Sequence, residues 1–211
     1  NPAWAFVPGS VRSVLALCGC VGVFGAGEAL DQVRVQLSRW VRSGTVRRIC
    51  KGWYTLSEPY RRVRIDMTVV ASTVKAGSYV SMHAALAFHG MIPEYVAETT
   101  CVTTGRPGTI DSPFGRIRYH HIKKDVFFGY TRVGSGLQQA VVATGEKALL
   151  DLFYLTPGSD DPEYIRGLRL QDRDNLDSAT LSRMARRFAS PKIERAASLV
   201  SRLVEEGGEI R

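Results

Sequence analysis

Apolar positions in the first third of the chain recur at two different spacings. In residues 10–18, Val11, Val14 and Leu15 begin a pattern of three- and four-residue steps, which predicts a short helix with one apolar face. Residues 26–30 are long enough for one or two helical turns, and residues 32–42 repeat the helical spacing. Residues 45–50 and 53–56 are instead β-prone, and the Lys51-Gly52 step between them predicts a tight hairpin.

The ends of the third predicted helix carry their own signals. Asp31 is predicted as its N-cap, and Gly44 as its C-terminal stop. Three helices followed by a β-hairpin within about fifty residues is the element order of a winged helix-turn-helix. The sequence therefore predicts a domain of that kind over residues 1–64.

Residues 65–211 mix strand and helix patterns and are predicted to form a second domain. Ser81 and Thr144 are expected to cap helices over residues 81–89 and 146–155. Strands are expected at residues 99–103, 116–122, 127–133 and 138–142. The last part of the chain is predicted to be helical, with Pro191 in a first turn and Gly207 as a stop. The predicted fold class is α+β: an N-terminal winged helix-turn-helix and a C-terminal mixed α/β domain with a helical C-terminal layer.

The distribution of charge adds a functional signal to this division. The 211 residues carry 28 basic and 20 acidic side chains, a net charge of +8. Ten of the basic and only three of the acidic residues lie in residues 1–64, which leaves the other 147 residues near neutrality at +1. Such asymmetry is typical of a polyanion-binding module joined to a near-neutral one, although scattered solvated side chains would give the same totals.

Other classes of protein fit the sequence less well. Four irregularly spaced cysteines indicate neither a disulfide framework nor a zinc site. No apolar run is long enough to span a membrane. Residues 11–23 resemble the core of a signal peptide, but Arg12 and several glycines interrupt the run and no cluster of positive charges precedes it. A cytoplasmic location without a membrane partner is therefore expected, with secretion as the alternative.

The third predicted helix has an apolar face and a polar face. Val33, Leu37, Trp40 and Val41 are expected to pack against the first two helices. The opposite face and the hairpin supply the predicted DNA-binding residues. These are Gln32, Arg34, Val35, Ser38, Arg39 and Arg42 on the helix, and Arg47, Arg48 and Lys51 on the wing.

Each part of this set has an expected role on double-stranded DNA. A recognition helix enters the major groove with its N-terminal residues on base edges, where Gln32 suits adenine and Arg34 suits guanine. Arg39 and Arg42 are expected to contact phosphates, which give affinity without sequence information. The wing residues would reach the backbone or the minor groove. The alternative for the helix alone is an amphipathic surface helix with a solvated basic face.

Several short blocks of this sequence resemble abortive-infection antitoxins of the AbiEi type. WVRSGTVRRI (residues 40–49) and GWY (52–54) are similar to the recognition-helix and wing segment of that family. Further blocks follow in the family's order: SYVS (78–81), AAL (84–86), HG (89–90), PE (93–94), FG (114–115), YHHI (119–122) and EKALLD (146–151). Together they extend over roughly residues 24–200, a share of the chain consistent with two domains.

The resemblance implies a two-domain regulator without catalytic activity. The N-terminal winged helix would bind the operator of its own operon and repress it. The C-terminal domain, residues 65–211, would counteract a toxin of the nucleotidyltransferase type. In such type IV systems the two proteins are thought to act without a stable complex. The alternatives are a stand-alone winged-helix regulator and, less favoured, a nucleic-acid-processing enzyme.

The residues of the second domain give little support to an enzyme. His83 and His89 lie six positions apart on a predicted helix, and adjacent His120 and His121 point to opposite faces of a strand. Neither spacing assembles a metal site. The i,i+4 spacing of Lys147 and Asp151 predicts an ordinary surface ion pair. No catalytic residue, metal or cofactor is therefore expected.

Substitution of Arg34 and Arg48 should separate base reading from backbone binding. Arg34→Ala should cost about 1–3 kcal/mol on the cognate duplex and much less on random DNA, because it removes a base contact. Arg48→Ala should weaken both duplexes alike and lower the salt slope by about one unit. Titrations at several salt concentrations measure both effects. An equal loss on both duplexes for Arg34→Ala would show that the helix lies on the backbone.

Overall fold

The computed structural model describes residues 30–61, 64–94, 96–135, 138–171 and 176–208, with only the backbone given for residues 30–34 and 206–208. These residues form a mixed α+β structure. The helices are α1 (Leu30–Arg42), α2 (Met67–Val74), α3 (Met82–Phe88), α4 (Gly145–Leu155), α5 (Pro162–Gly167), α6 (Ser178–Arg186) and α7 (Pro191–Gly208). The strands are β1 (Val46–Cys50), β2 (Trp53–Leu56), β3 (Ser78–Val80), β4 (Glu98–Thr103), β5 (Gly108–Ser112), β6 (Gly115–His121), β7 (Tyr130–Val133) and β8 (Ala140–Ala143).

Six of the strands form one mixed sheet in the order β5-β6-β4-β3-β8-β7, and β1 and β2 form a separate hairpin. The outer pairs β5–β6 and β7–β8 are antiparallel. The inner strand β3 runs antiparallel to β4 and parallel to β8. Although β3 has only three residues, all of them are buried. A strand enclosed on both faces and on both edges depends on packing rather than on local propensity.

Different helices cover the two faces of the sheet. Val80, Cys101 and Tyr119 are paired across neighbouring strands and therefore share one face. On that face the Tyr119 hydroxyl donates to the carbonyl oxygen of Ala71 in α2, at 2.7 Å. Tyr79 lies next to Val80 and so points the other way, toward α4. The hydrophobic core thus has one layer on each side of the sheet.

The C-terminal helices form the outer layer on the α4 side. Helices α6 and α7 pack on each other, and both contact α4. Leu181 and Ala185 of α6 are buried, as are Ile193, Ala197 and Val200 of α7. Their spacing of three and four residues produces the apolar stripe that seals this layer. The predicted α+β class is confirmed for the described residues, and the predicted C-terminal helices are present.

Local signals predicted some element boundaries correctly. The Thr144 side chain accepts a hydrogen bond from the Lys147 amide and caps α4, as expected. Strand β4 matches the prediction within one residue. Ser81 occupies the N-cap position of α3 as predicted, but its hydroxyl makes no capping bond and instead donates to Asp151 Oδ2 at 2.7 Å. Met82 then begins α3 with a φ of 57°, a conformation that costs energy for a residue with a side chain.

The predicted surface ion pair between Lys147 and Asp151 lies in the core. Both side chains are 0% exposed, and Lys147 Nζ donates to Asp151 Oδ1. The other carboxylate oxygen accepts bonds from the Tyr79 hydroxyl at 3.0 Å and from Ser81. The surface prediction was wrong because helical spacing brings the two side chains together but does not determine what covers them. In the structure, the sheet and several aromatic rings cover the side chains of Lys147 and Asp151.

Aromatic rings enclose the ammonium group of Lys147. Its Nζ lies 4.8 Å from the ring centroid of Phe188, 5.0 Å from that of Phe128 and 5.7 Å from that of Tyr79. Burial lowers the pKa of Lys147 and raises the pKa of Asp151, because each charged form loses water. The ion pair opposes both changes, and the two hydroxyl donors oppose the change in Asp151. The charges are therefore compensated within the core.

Breaking this pair from one side should destabilise the protein strongly. Lys147→Met leaves the Asp151 carboxylate buried without its cation and should cost about 3–5 kcal/mol of unfolding free energy. The double variant Lys147→Met with Asp151→Leu should recover most of that loss, because neither charge then remains. Urea unfolding of the full chain measures all three proteins.

Arg195→Met is the matched control, since it breaks the exposed ion pair with Asp160. Its unfolding midpoint should stay close to that of the unmodified protein. If Lys147→Met changed the unfolding midpoint as little as Arg195→Met does, the result would contradict a buried charge pair in which Lys147 compensates Asp151.

Candidate nucleic-acid interface

Helix α1 ends in a tight turn that leads directly into the hairpin. The amide of Ser43 donates to the carbonyl oxygen of Arg39 at 2.8 Å, and the amide of Gly44 to that of Val41 at 3.2 Å. Gly44 has a φ of +75°, which a residue without a Cβ adopts at little cost. The predicted stop at Gly44 is therefore confirmed. The Ser57 hydroxyl donates to the Gly44 carbonyl and ties the end of the hairpin to this turn.

The hairpin forms where the sequence predicts it, but with a bulge in its first strand. Val46 pairs with Leu56, and the register shifts between Arg48 and Cys50, so that Ile49 is the extra residue. Simple alternation would bury every second side chain of β1. Instead Arg47 and Arg48 are both exposed, and Ile49 turns inward with 2% of its surface exposed.

The structure also determines the phase of α1. Leu37 is buried and Trp40 is half-buried, as predicted, but Val41 is 39% exposed and does not belong to the packed face. Among the described elements α1 contacts mainly β1, and Leu37 is the buried residue of the helix. The predicted N-cap was also wrong, since Asp31 lies within the helix after Leu30.

The predicted DNA-contacting face of α1 is outward where its side chains are described. Ser38, Arg39 and Arg42 are exposed, and Val35 is 51% exposed. Gln32, Arg34 and Val33 lie on the helix, but their side chains are outside the described residues. The two predicted preceding helices, at residues 10–18 and 26–30, lie outside as well, except that Leu30 is the first described residue of α1.

The three predicted wing residues have different surroundings. Lys51 lies exposed at the hairpin turn, where Gly52 has a φ of +83°. Arg48 is exposed, and its Nε donates to the Cys50 carbonyl oxygen at 3.2 Å. The guanidinium carbon of Arg47 lies 5.1 Å from the ring centroid of Phe114, in the turn between β5 and β6. Arg47 therefore also connects the hairpin to the sheet.

The hairpin as a whole is docked on the second part of the chain. Ile49 belongs to the same hydrophobic cluster as the core of the sheet, and Trp53 packs against that cluster. Strand β1 also contacts β5. Arg61 adds a second cation at Phe114, 5.9 Å from the ring centroid. Phe114 was not predicted from the sequence, because it meets the hairpin only through the fold. Arg61 was not predicted either, and it contacts the Leu56 carbonyl oxygen of the hairpin as well as the Phe114 ring.

The histidines considered as metal ligands are dispersed. His83 and His120 are half-buried, and burial lowers the pKa of both. A ring nitrogen of His89 lies 2.8 Å from the carbonyl oxygen of Ala143, and His121 makes a similar contact at 3.0 Å with another backbone carbonyl. Among the described residues no group of three or more metal-ligating side chains comes together.

Comparisons with known proteins add no assignment. No model of a known protein family matches this chain, and no curated protein shows significant similarity to it. Among the described helices, none has both the length and the apolar character that a membrane crossing requires.

Ile49→Ala should show that the hairpin is part of the main folding unit. Removing this buried side chain should cost about 2–4 kcal/mol of unfolding free energy, because it leaves a cavity between hairpin and sheet. Val35→Ala, an apolar truncation on the exposed face of α1, should change it by less than about 0.5 kcal/mol. Chemical unfolding of both full-length variants measures the difference. Similar small losses for both would contradict the docking of the hairpin.

Proposed function

We propose that this protein is a DNA-binding regulator of the AbiEi antitoxin type, which uses a winged helix-turn-helix to repress its own operon. The observation that carries the proposal is an exposed arginine face on α1, followed without a gap by a β-hairpin with basic residues at its turn. That order matches a recognition helix and its wing. Residues 1–64, with predicted helices before α1, would complete the domain.

Charge supports the same interpretation. Residues 30–56, which form α1 and the hairpin, hold six basic residues and one acidic residue, and so carry +5 of the net charge of +7 on residues 1–64. Among them, Arg39, Arg42, Arg48 and Lys51 are exposed. Phosphate contacts by such residues supply most of the sequence-independent affinity of DNA-binding proteins. Gln32 and Arg34, earlier on the same helix, are the proposed base readers.

The proposed antitoxin role rests on the resemblance of the second part of the chain. Two of its blocks, SYVS and EKALLD, meet in the core, because Tyr79 and Ser81 donate to Asp151. These blocks therefore build the fold, and the residues that would counteract a nucleotidyltransferase-type toxin lie elsewhere on its surface. A functional partnership without a stable complex is what the resemblance implies.

The double variant Arg39→Gln with Arg42→Gln should weaken DNA binding and reduce its salt dependence. Loss of two phosphate contacts should lower the slope of log K against log salt by about two units. Anisotropy titrations with a duplex from upstream of the protein's own coding sequence, and with a random duplex, measure this. Arg166→Gln with Arg202→Gln removes the same charge from α5 and α7 and should leave both binding curves unchanged.

The same two double variants test the division of roles in cells. Arg39→Gln with Arg42→Gln should relieve repression of a promoter reporter and still protect cells from the cognate toxin. A flat salt response, or equal losses in the α1 variant and its control, would contradict the DNA interface. If the unmodified protein did not protect cells from the toxin, the antitoxin role would be contradicted, and a stand-alone regulator would be the remaining function.

A further inference from the structure

We propose that the second part of the chain carries a separate binding surface for single-stranded nucleic acid, formed by three arginines at the end of α6 and the ring of Tyr130. This surface is independent of the α1–hairpin interface. It follows from the surroundings of the buried Lys147, which the proposed regulator function does not use.

The arginines lie on one face at the C-terminal end of α6. Arg183 and Arg186 are on the helix, and Arg187 follows as its C-cap. Their i, i+3 and i+4 positions place them on the same side. All three residues are exposed, and none forms an ion pair with another residue in the described part of the chain. Together they form a compact basic group. Within it, Arg183 lies near the Asp177 carboxylate and contributes to lowering the pKa of that group, after the larger effect of hydrogen bonds from Thr180.

Arg187 is held in place by an aromatic ring. Its guanidinium carbon lies 3.6 Å from the ring centroid of Phe128. A guanidinium stacked in this way keeps its N–H donors at the edge of its plane, where a phosphate can accept them. Less side-chain entropy remains to be lost when a ligand binds.

Two positive charges share the Phe128 ring. Lys147 Nζ lies 5.0 Å from the same centroid, and Arg187 adds to the lowering of the Lys147 pKa after the larger effect of burial. Asp151 compensates Lys147 from inside the core, whereas Arg187 has no comparable partner among the described residues. An anion bound at the α6 arginines would offset this repulsion, which favours a polyanionic ligand over a neutral one.

Tyr130 is connected to the same buried lysine through the ring of Tyr79. Its ring stacks on Tyr79 with centroids 4.6 Å apart, and the ring of Tyr79 lies 5.7 Å from Lys147 Nζ. Tyr130 is nevertheless 42% exposed, on the outer strand β7. Tyr130 also follows two positions after Phe128, the ring that holds Arg187. Exposed rings and cations together bind single strands, since bases stack on the ring and phosphates bind the cations. Paired bases inside a duplex cannot stack in this way.

The position of this surface separates it from the hairpin. The hairpin contacts β5 at one edge of the sheet, whereas α6 packs on α4, which contacts β8. Four strand spacings of ~4.8 Å place β5 about 19 Å from β8. The α6 surface can therefore be altered without touching the hairpin.

Fluorescence anisotropy with labelled oligouridine and oligothymidine of about 12 nucleotides tests the proposal on the full-length protein. Arg183→Gln with Arg186→Gln should reduce the salt slope by about 1.4 units, because two phosphate contacts of a single strand are lost. Arg166→Gln with Arg202→Gln, which removes equal charge, should have no effect. Tyr130→Ala should weaken binding about tenfold, and Tyr130→Phe should retain it, since the stacking ring remains.

Further measurements keep these outcomes distinct. Melting temperatures of all variants should match that of the unmodified protein. If the double variant Arg183→Gln with Arg186→Gln melts early, it is replaced by Arg186→Gln alone. Arg39→Gln with Arg42→Gln should not change single-strand binding, which separates this surface from the operator interface. The proposal is overturned if the unmodified protein binds neither strand, if the charge-matched control loses as much affinity, or if a duplex of the same length depends equally on Arg183 and Arg186.

Discussion

The ion pair between Lys147 and Asp151 is the interaction on which the second part of the structure depends. It joins α4 to the shortest strand of the sheet, because Asp151 also accepts hydrogen bonds from Tyr79 of β3 and from Ser81. A three-residue strand has little stability of its own. Its polar anchors must therefore be satisfied inside the core, since an unpaired buried charge would cost several kcal/mol or about half the stability of a typical domain.

The hairpin depends on the same core by a different route. The bulge in β1 turns Ile49 into the hydrophobic cluster, while Arg47 lies over Phe114 from the other part of the chain. These contacts fix the direction of the hairpin relative to the sheet. The proposed DNA interface is therefore positioned by residues that come after it in the sequence.

Sequence patterns predicted the features that depend on neighbours along the chain. The Thr144 cap, the stop at Gly44 and the Lys51-Gly52 turn each involve residues within a few positions, and all three are present. Helix α2 was missed because it is short and apolar on most sides. The contact of Arg47 with Phe114 joins residues 67 positions apart, and the rings that enclose Lys147 come from 19, 41 and 68 positions away. Hydrophobic periodicity along the chain gives no information about such distant partners. It did predict the exposed face of α1, which depends only on helical spacing.

The docked hairpin has a consequence for which of its surface residues can vary without changing the fold. Ile49 and Arg47 serve the core and Phe114, so that substitutions there would change folding together with any contact to DNA. In contrast, the surface is exposed at Lys51 in the turn and at the outer residues Ser38, Arg39 and Arg42 of α1. Under the proposed DNA-binding function, new operator sequences would therefore be acquired through these outer positions. The inward residues of the hairpin should change only together with the sheet that receives them.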